Sequence, residues 1–149
     1  HVSAVYFGDV EAWKQYYSEK YGQTEAENAA WDFSSYRPDF IILDLGTNDS
    51  LIAAPKELIS EKYLSFLRLI REKNPGSAIF CCAGAMITSV NAVVEEAVET
   101  RNREGDEKIW FYALPAMSKG GHPKEETHLE NGYGLGAFIM QTLDWVPEL

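Results

Sequence analysis

The chain has 149 residues, 46% of them hydrophobic, enough for one globular domain with a sizeable core. Its formal net charge of -10 argues against a nucleic-acid backbone or an anionic membrane as partner, since each such contact begins against repulsion, and a neutral or cationic small substrate fits better. No stretch of the sequence approaches the length and apolarity of a membrane-spanning helix.

The first part, His1 to Arg37, is the least regular. "VSAVYFGD" has the character of a strand and "VEAWKQYYSEKYG" of a helix, whereas "QTEAENAAWDFSSYRP" is a polar, aromatic-dotted connection without a period. From Asp39 onward strands and helices alternate. "DFIILDLG" (Asp39 to Gly46), "SAIFCCAG" (Ser77 to Gly84) and "IWFYALP" (Ile109 to Pro115) are short, nearly continuous apolar runs bounded by Gly or Pro, which predicts buried parallel strands. Between the first two, Ile59, Tyr63, Phe66, Leu67 and Ile70 share one helical face, and "NPG" (Asn74 to Gly76) supplies the stop. Val90, Val93, Val94, Ala97 and Val98 mark a second helix, with Thr88 or Ser89 expected as its cap. A last helix is expected from Lys124 to about Leu143, with Pro123 at its first position and Gly132, Gly134 and Gly136 weakening it. Cys81 and Cys82 are adjacent inside an apolar run, so they read as small core residues rather than a disulfide or metal pattern. No repeat or linker divides the chain, and a single domain over residues 1–149 is expected.

Strands alternating with amphipathic helices predict an α/β fold with right-handed crossovers, a parallel sheet and helices on its faces. Such sheets bind ligands at the carboxyl ends of their strands. The segments expected there are "GTND", "AGAMITS" and "PAMSKGGHP", which would bring Asn48 and His122 into one neighbourhood. An Asn at such an edge can donate an N–H to a developing oxyanion, and Gly46 lets the backbone turn sharply enough to present it; an Asx-turn closing the strand is the alternative use of the same residues. Asp49 can fix the turn by accepting hydrogen bonds. His122 precedes a proline and follows two glycines, which displays it at the mouth of the last helix. His128 reads as a surface residue, and its spacing from His122 is not that of a helical zinc pair, so neither a metal nor a cofactor is expected.

Together these residues resemble a known family. "RPDFIILDLGTND" resembles the third block of the SGNH, or GDSL-type, hydrolase superfamily, and "GGHP" followed by a terminal helix resembles its fifth. "WDFSSYRPDFIILDLGTND", "NPGSAIFCCAGAM", "REGDEKIWFYALP" and "HPKEETH" look like the catalytic domain of the second carbohydrate-esterase family, so that the resemblance runs from Trp31 to roughly Trp145. It implies a flavodoxin-like three-layer α/β/α fold and an ester hydrolase that removes acetyl groups from sugars or xylan-type polysaccharides. It also implies an acetylated sugar or polysaccharide as partner and an extracellular or periplasmic location, with Asn48 as an oxyanion donor, Gly46 as the glycine of that block and His122 as the base activating a serine.

Two departures qualify the resemblance. The acid that usually precedes the base by two or three residues is replaced by Gly120 and Lys119, which points to a Ser-His dyad with a backbone carbonyl holding the ring; Asp44 and Asp49 are the nearby carboxylates to test. The Gly-Asp-Ser turn has only an echo in "YFGDV", where Val10 stands in the serine position. The interval from Gly8 to Gly46 is too short for the usual intervening elements, so the expectation is that the first strand and its serine lie in an amino-terminal block of the same domain outside these residues. The competing expectation is a non-catalytic sugar-binding relative, with Trp13, Trp31 or Tyr36 stacking on sugar rings. A flavodoxin-like signalling domain ranks last, because neither a phosphate-cradling glycine loop nor an acidic receiver cluster is present.

Overall fold

The computed structural model describes Glu19 and residues 32–51, 53–117 and 121–145. The strand expected within the first 31 residues and, Glu19 apart, the helix expected there lie outside that set, with Val10, Trp13 and Trp31, and so do Lys119 and Gly120. In chain order the elements are β1 (Phe40–Asp44), α1 (Thr47–Leu51), α2 (Lys56–Lys73), β2 (Ala78–Gly84), α3 (Asn91–Arg103), β3 (Ile109–Leu114) and α4 (Glu125–Thr142).

The strands form one parallel sheet in the order β1-β2-β3, with Ile41, Ile79 and Ile109 in one cross-strand row and Ile42, Phe80 and Trp110 in the next. Because side chains alternate along a strand, these rows point to opposite faces. Ile41, Leu43, Ile79, Cys81, Ala83, Ile109 and Phe111 pack with Ile59, Tyr63 and Leu67 of α2 and Val93, Val94, Ala97 and Val98 of α3. Phe40, Ala78, Phe80 and Trp110 pack on the other side with Leu135, Phe138 and Ile139 of α4. The result is a three-layer α/β/α arrangement. Every residue of β2 is buried, which is why its sequence reads as an unbroken apolar run rather than an alternation. The rings on the α4 side are ordered around Phe80, which stacks on Trp110 at 5.2 Å and meets Phe40 and Phe138 edge-on at 6.4 and 6.0 Å. Cys81 and Cys82 are fully buried, and burial pushes both thiols up to about 12.

Two helix starts differ from the sequence expectation. α3 has Val90, not Thr88 or Ser89, at its N-cap, and no side chain caps it. Val90 is 1% exposed, so burial rather than a hydroxyl anchors this start. α4 begins at Glu125 with Lys124 as its extended N-cap, placing Pro123 just outside the helix. The end of α2 follows expectation: the backbone N–H and side-chain amide of Asn74 both donate to the Ile70 carbonyl, at 2.9 and 3.0 Å.

The amino edge of the sheet is held by one guanidinium. Arg71 bonds both carboxylate oxygens of Asp106 at 2.9 Å and also donates to the carbonyls of Asn74, Ser77 and Lys108. It thereby ties the end of α2 to the starts of β2 and β3. Burial pushes the Asp106 carboxyl up, but the hydrogen bonds and charge of Arg71, the Lys108 N–H and Arg101 more than offset this and leave it below the usual carboxylate range. Asp106→Asn should therefore destabilise the protein by roughly 3–5 kcal/mol at neutral pH, as expected when one member of a buried ion pair is removed. A depressed folded-state pKa contributes stability that is complete above the unfolded value and is lost as pH falls through the folded one. Urea unfolding of both proteins at pH 7 and pH 3 should thus show a gap that narrows in acid; equal stability at pH 7 would refute the clamp.

Candidate active site

All three strands run the same way, so the segments after Asp44, Gly84 and Leu114 leave from one edge. Their turns are fitted to one another. Gly46 has φ +108°, and a Cβ there would lie 2.7 Å from Val90 Cγ2, so both the conformation and the space require glycine. Gly84, at φ +123°, passes so close to β3 that a Cβ would collide with the Leu114 carbonyl oxygen. Ala85 follows with φ +53°, a left-handed conformation uncommon for a residue with a side chain, and its carbonyl accepts from Met117 N–H at 3.0 Å. The loop after β2 is thus bound on one side to the turn after β1 and on the other to the segment leading toward His122.

Asn48 lies in the short helix α1 rather than in an open loop, with an exposed side chain that makes no hydrogen bond with another described residue. No Asx-turn forms there among the described residues, and the amide is free to donate. Its neighbour Asp49 is 3% exposed and is engaged rather than displayed. His122 is exposed, directly after Gly121 at φ +107° and two residues ahead of the α4 N-cap. Asn48 follows β1 and His122 follows β3, with β2 between them, so the segments that carry them leave from the same edge of the sheet. Among the described residues no carboxylate is paired with the His122 ring. Asp44 ends β1 opposite Cys82 of β2, and partial burial raises its carboxyl above the usual range. His128 is exposed near the start of α4.

Sequence reading gave no hint of two features. Ala85 is an ordinary residue type in a strained conformation, set by its neighbours on β3. Asn131 is buried on α4, one turn before Leu135, and its Oδ1 has no partner among the described residues. The same residues contain no group of three or more His, Cys, Asp or Glu able to hold a metal. A cavity of about 510 Å³ opens at the opposite, amino edge among Phe33, Arg37, Asp39, Lys73 and Asn74. It lies at the wrong ends of the strands to include either Asn48 or His122.

No family model matches the chain. It is 33% identical over 127 residues to the cellulase/esterase CelE of Acetivibrio thermocellus, covering 77% of this chain and 16% of that protein. It is 29% identical over 122 residues to an acetylxylan esterase / glucomannan deacetylase of Cellvibrio japonicus, covering 77% of this chain and 34% of that protein. Among solved structures it superimposes on a family two carbohydrate esterase from Clostridium thermocellum, in complex with cellohexaose, with TM-score 0.74 and 32% identity over 81% of this chain. The chain is related to the family two carbohydrate esterases. It spans 41% of the length of that solved esterase, so it corresponds to a part of what those proteins contain.

The fit of the Gly46 turn is open to measurement. Gly46→Ala should lower thermal stability, by about 1–2 kcal/mol from the left-handed conformation alone, and by more because of Val90. Adding Val90→Ala removes the collision and not the backbone strain, so Gly46→Ala should cost less in the Val90→Ala background than in the native one. A Gly46→Ala melting temperature equal to that of the native protein would show that the turn is not built as described.

Proposed function

We propose that this chain is part of a carbohydrate O-deacetylase, an ester hydrolase that removes acetyl groups from a sugar or polysaccharide. The observation that carries the reading is the shared fold at 32% identity with a family two carbohydrate esterase, whose structure holds a cello-oligosaccharide. The exposed Asn48 amide and His122 imidazole beyond one sheet edge support it, because acyl transfer needs an oxyanion donor and a base on the same side of a reacting carbonyl.

In this reading a serine Oγ attacks the acetyl carbonyl carbon while His122 takes the hydroxyl proton. The carbonyl oxygen becomes an oxyanion that accepts a hydrogen bond from the Asn48 amide, and Gly46 holds the turn that presents it. Collapse breaks the bond to the sugar oxygen, which leaves with the proton from His122. Water then attacks the acetyl-serine, again losing its proton to His122, and acetate departs as serine is regenerated. The serine belongs to an amino-terminal block of the same domain, outside these residues. With Gly120 and Lys119 where an acid would stand, and no described carboxylate on the ring, the base acts as half of a dyad.

In the complete protein, His122→Ala should lower acetyl-ester turnover by several orders of magnitude, and Asn48→Ala should cost roughly 2.7–4 kcal/mol in kcat/KM, the worth of one oxyanion donor. A serine-directed phosphonate should label one serine outside residues 1–149, as read by peptide mass mapping. Deacetylation that survives His122→Ala would overturn the assignment, and sugar binding with no deacetylation at all would favour a non-catalytic binding role.

A further inference from the structure

The cavity of about 510 Å³ at the amino edge of the sheet lies between the segment entering β1 and the turn that links α2 to β2. Both of its walls are fixed. On one side the Asp32 carboxylate accepts from Ser34 N–H at 2.9 Å, and the Asp32 carbonyl accepts from Ser35 N–H at 3.1 Å. These bonds close a turn that leaves Phe33 41% exposed on the cavity wall. On the other side Asn74 donates its side-chain amide to the Ile70 carbonyl and accepts from Arg71 at its own, each at 3.0 Å. The two walls meet where Ser77 Oγ donates to the Pro38 carbonyl and Ala78 N–H to that of Asp39. A recess held in shape before a ligand arrives loses less entropy on binding it.

The lining narrows what would fit. Among the described residues, Arg37 and Lys73 are countered by Asp39 and Glu72, so the cavity carries no net sign in a chain whose total is -10. A phosphate, an acidic peptide or a cation gains nothing from such a field. Lys73 and Glu72 pair with each other at 2.7 Å, whereas the side chains of Arg37 and Asp39 make no hydrogen bond or ion pair among the described residues. A guanidinium only donates and a carboxylate only accepts, so this free pair suits a ligand whose groups do both, as hydroxyls do. Phe33 adds an aromatic face in a recess of the size that small ligands occupy. An apolar ring beside a free donor and a free acceptor matches a pyranose, which presents C–H bonds on its faces and hydroxyls around its rim. Tyr36, 66% exposed, is a second ring on the same segment.

We propose that this cavity binds one unit of a neutral sugar chain, as a polysaccharide site separate from the edge where the acetyl group is removed; the proposal rests on the carbohydrate reading given above. β2 has 7 residues, and a rise of about 3.3 Å per residue puts roughly 20 Å between the two edges of the sheet. A single acetylated sugar cannot reach both. A polymer can, and a chain held at the amino edge raises the effective concentration of its own acetyl groups at the carboxyl edge. The cavity thereby favours an acetylated polysaccharide over a short ester.

The test uses the complete protein with acetylated xylan and with nitrophenyl acetate, an ester too small to span the two edges. Phe33→Ala should lower the ratio of kcat/KM on xylan to kcat/KM on the small ester by about fivefold or more, through a higher KM on xylan, as expected for losing one stacked ring. Phe33→Tyr should restore the ratio. If Phe33 instead packs against another part of the protein, Phe33→Ala lowers the melting temperature and slows both substrates together; a ratio that stays at the native value overturns the site. Should Phe33→Ala fail to fold, Arg37→Ala, at an exposed side chain, gives the same comparison and must lower the same ratio. Affinity electrophoresis through gels containing xylan separates this proposal from the reading on which it rests. Where neither substrate is turned over, the deacetylase reading fails, and stronger retention of the native protein than of Phe33→Ala still supports the sugar site. Equal retention of the two, or no retention of either, overturns it.

Discussion

The pairing of Arg71 with Asp106 is the constraint on which the geometry of the sheet depends. The two residues are 35 apart in sequence, yet the guanidinium satisfies a carboxylate and three carbonyls that belong to the end of α2 and the starts of β2 and β3. Arg101 adds a longer contact to the same carboxylate, and Asn102 caps the Asp106 and Ile109 carbonyls. Desolvating an ion pair is costly, so such a cluster contributes less to net stability than its bond count suggests. Its effect is on register. With the strand starts pinned at one edge, the row of Ile41, Ile79 and Ile109 is fixed, and with it the height at which each strand ends.

Strand ends at fixed heights allow the opposite edge to hold conformations that would otherwise relax. Gly46, Gly84 and Ala85 all have positive φ, and each meets a residue distant in sequence: Val90 at the α3 N-cap, Leu114 at the end of β3 and Met117 just beyond it. Residues in sparsely populated conformations persist where surrounding structure over-determines them, and they cluster at functional sites. The amino edge is therefore built for rigidity through charge, and the carboxyl edge for close backbone approach through small residues.

What the sequence made legible follows from how far apart the determinants lie. The three strands and the apolar stripes of α2 and α3 are written in consecutive or helically spaced residues, and they were placed correctly from those patterns. The start of α3 differs from the hydroxyl-cap expectation because tertiary burial sets it, whereas that of α4 differs by a single residue among exposed side chains. Val90 sits against Gly46, and no local rule for hydroxyl caps registers that contact. The glycines of α4 looked like a weakness, and only the sheet shows that Gly134 makes room for Tyr112. That the segments after β1, β2 and β3 leave from one edge was legible because parallel topology dictates it, whereas the helical setting of Asn48, the strain at Ala85 and the Arg71 clamp depend on contacts between distant segments.

The exposure of the edge carries a consequence for how its groups can act. Asn48 and His122 both face solvent. A hydrogen-bond donor aimed at an oxyanion is strong where water is excluded and weak where water competes, since the same charges interact several-fold more strongly at the dielectric of a protein surface or interior than in bulk water. An exposed amide and imidazole therefore have little catalytic power by virtue of their identity alone. For the amide and imidazole to act on an acyl carbonyl with full strength, apolar walls must exclude water from this edge.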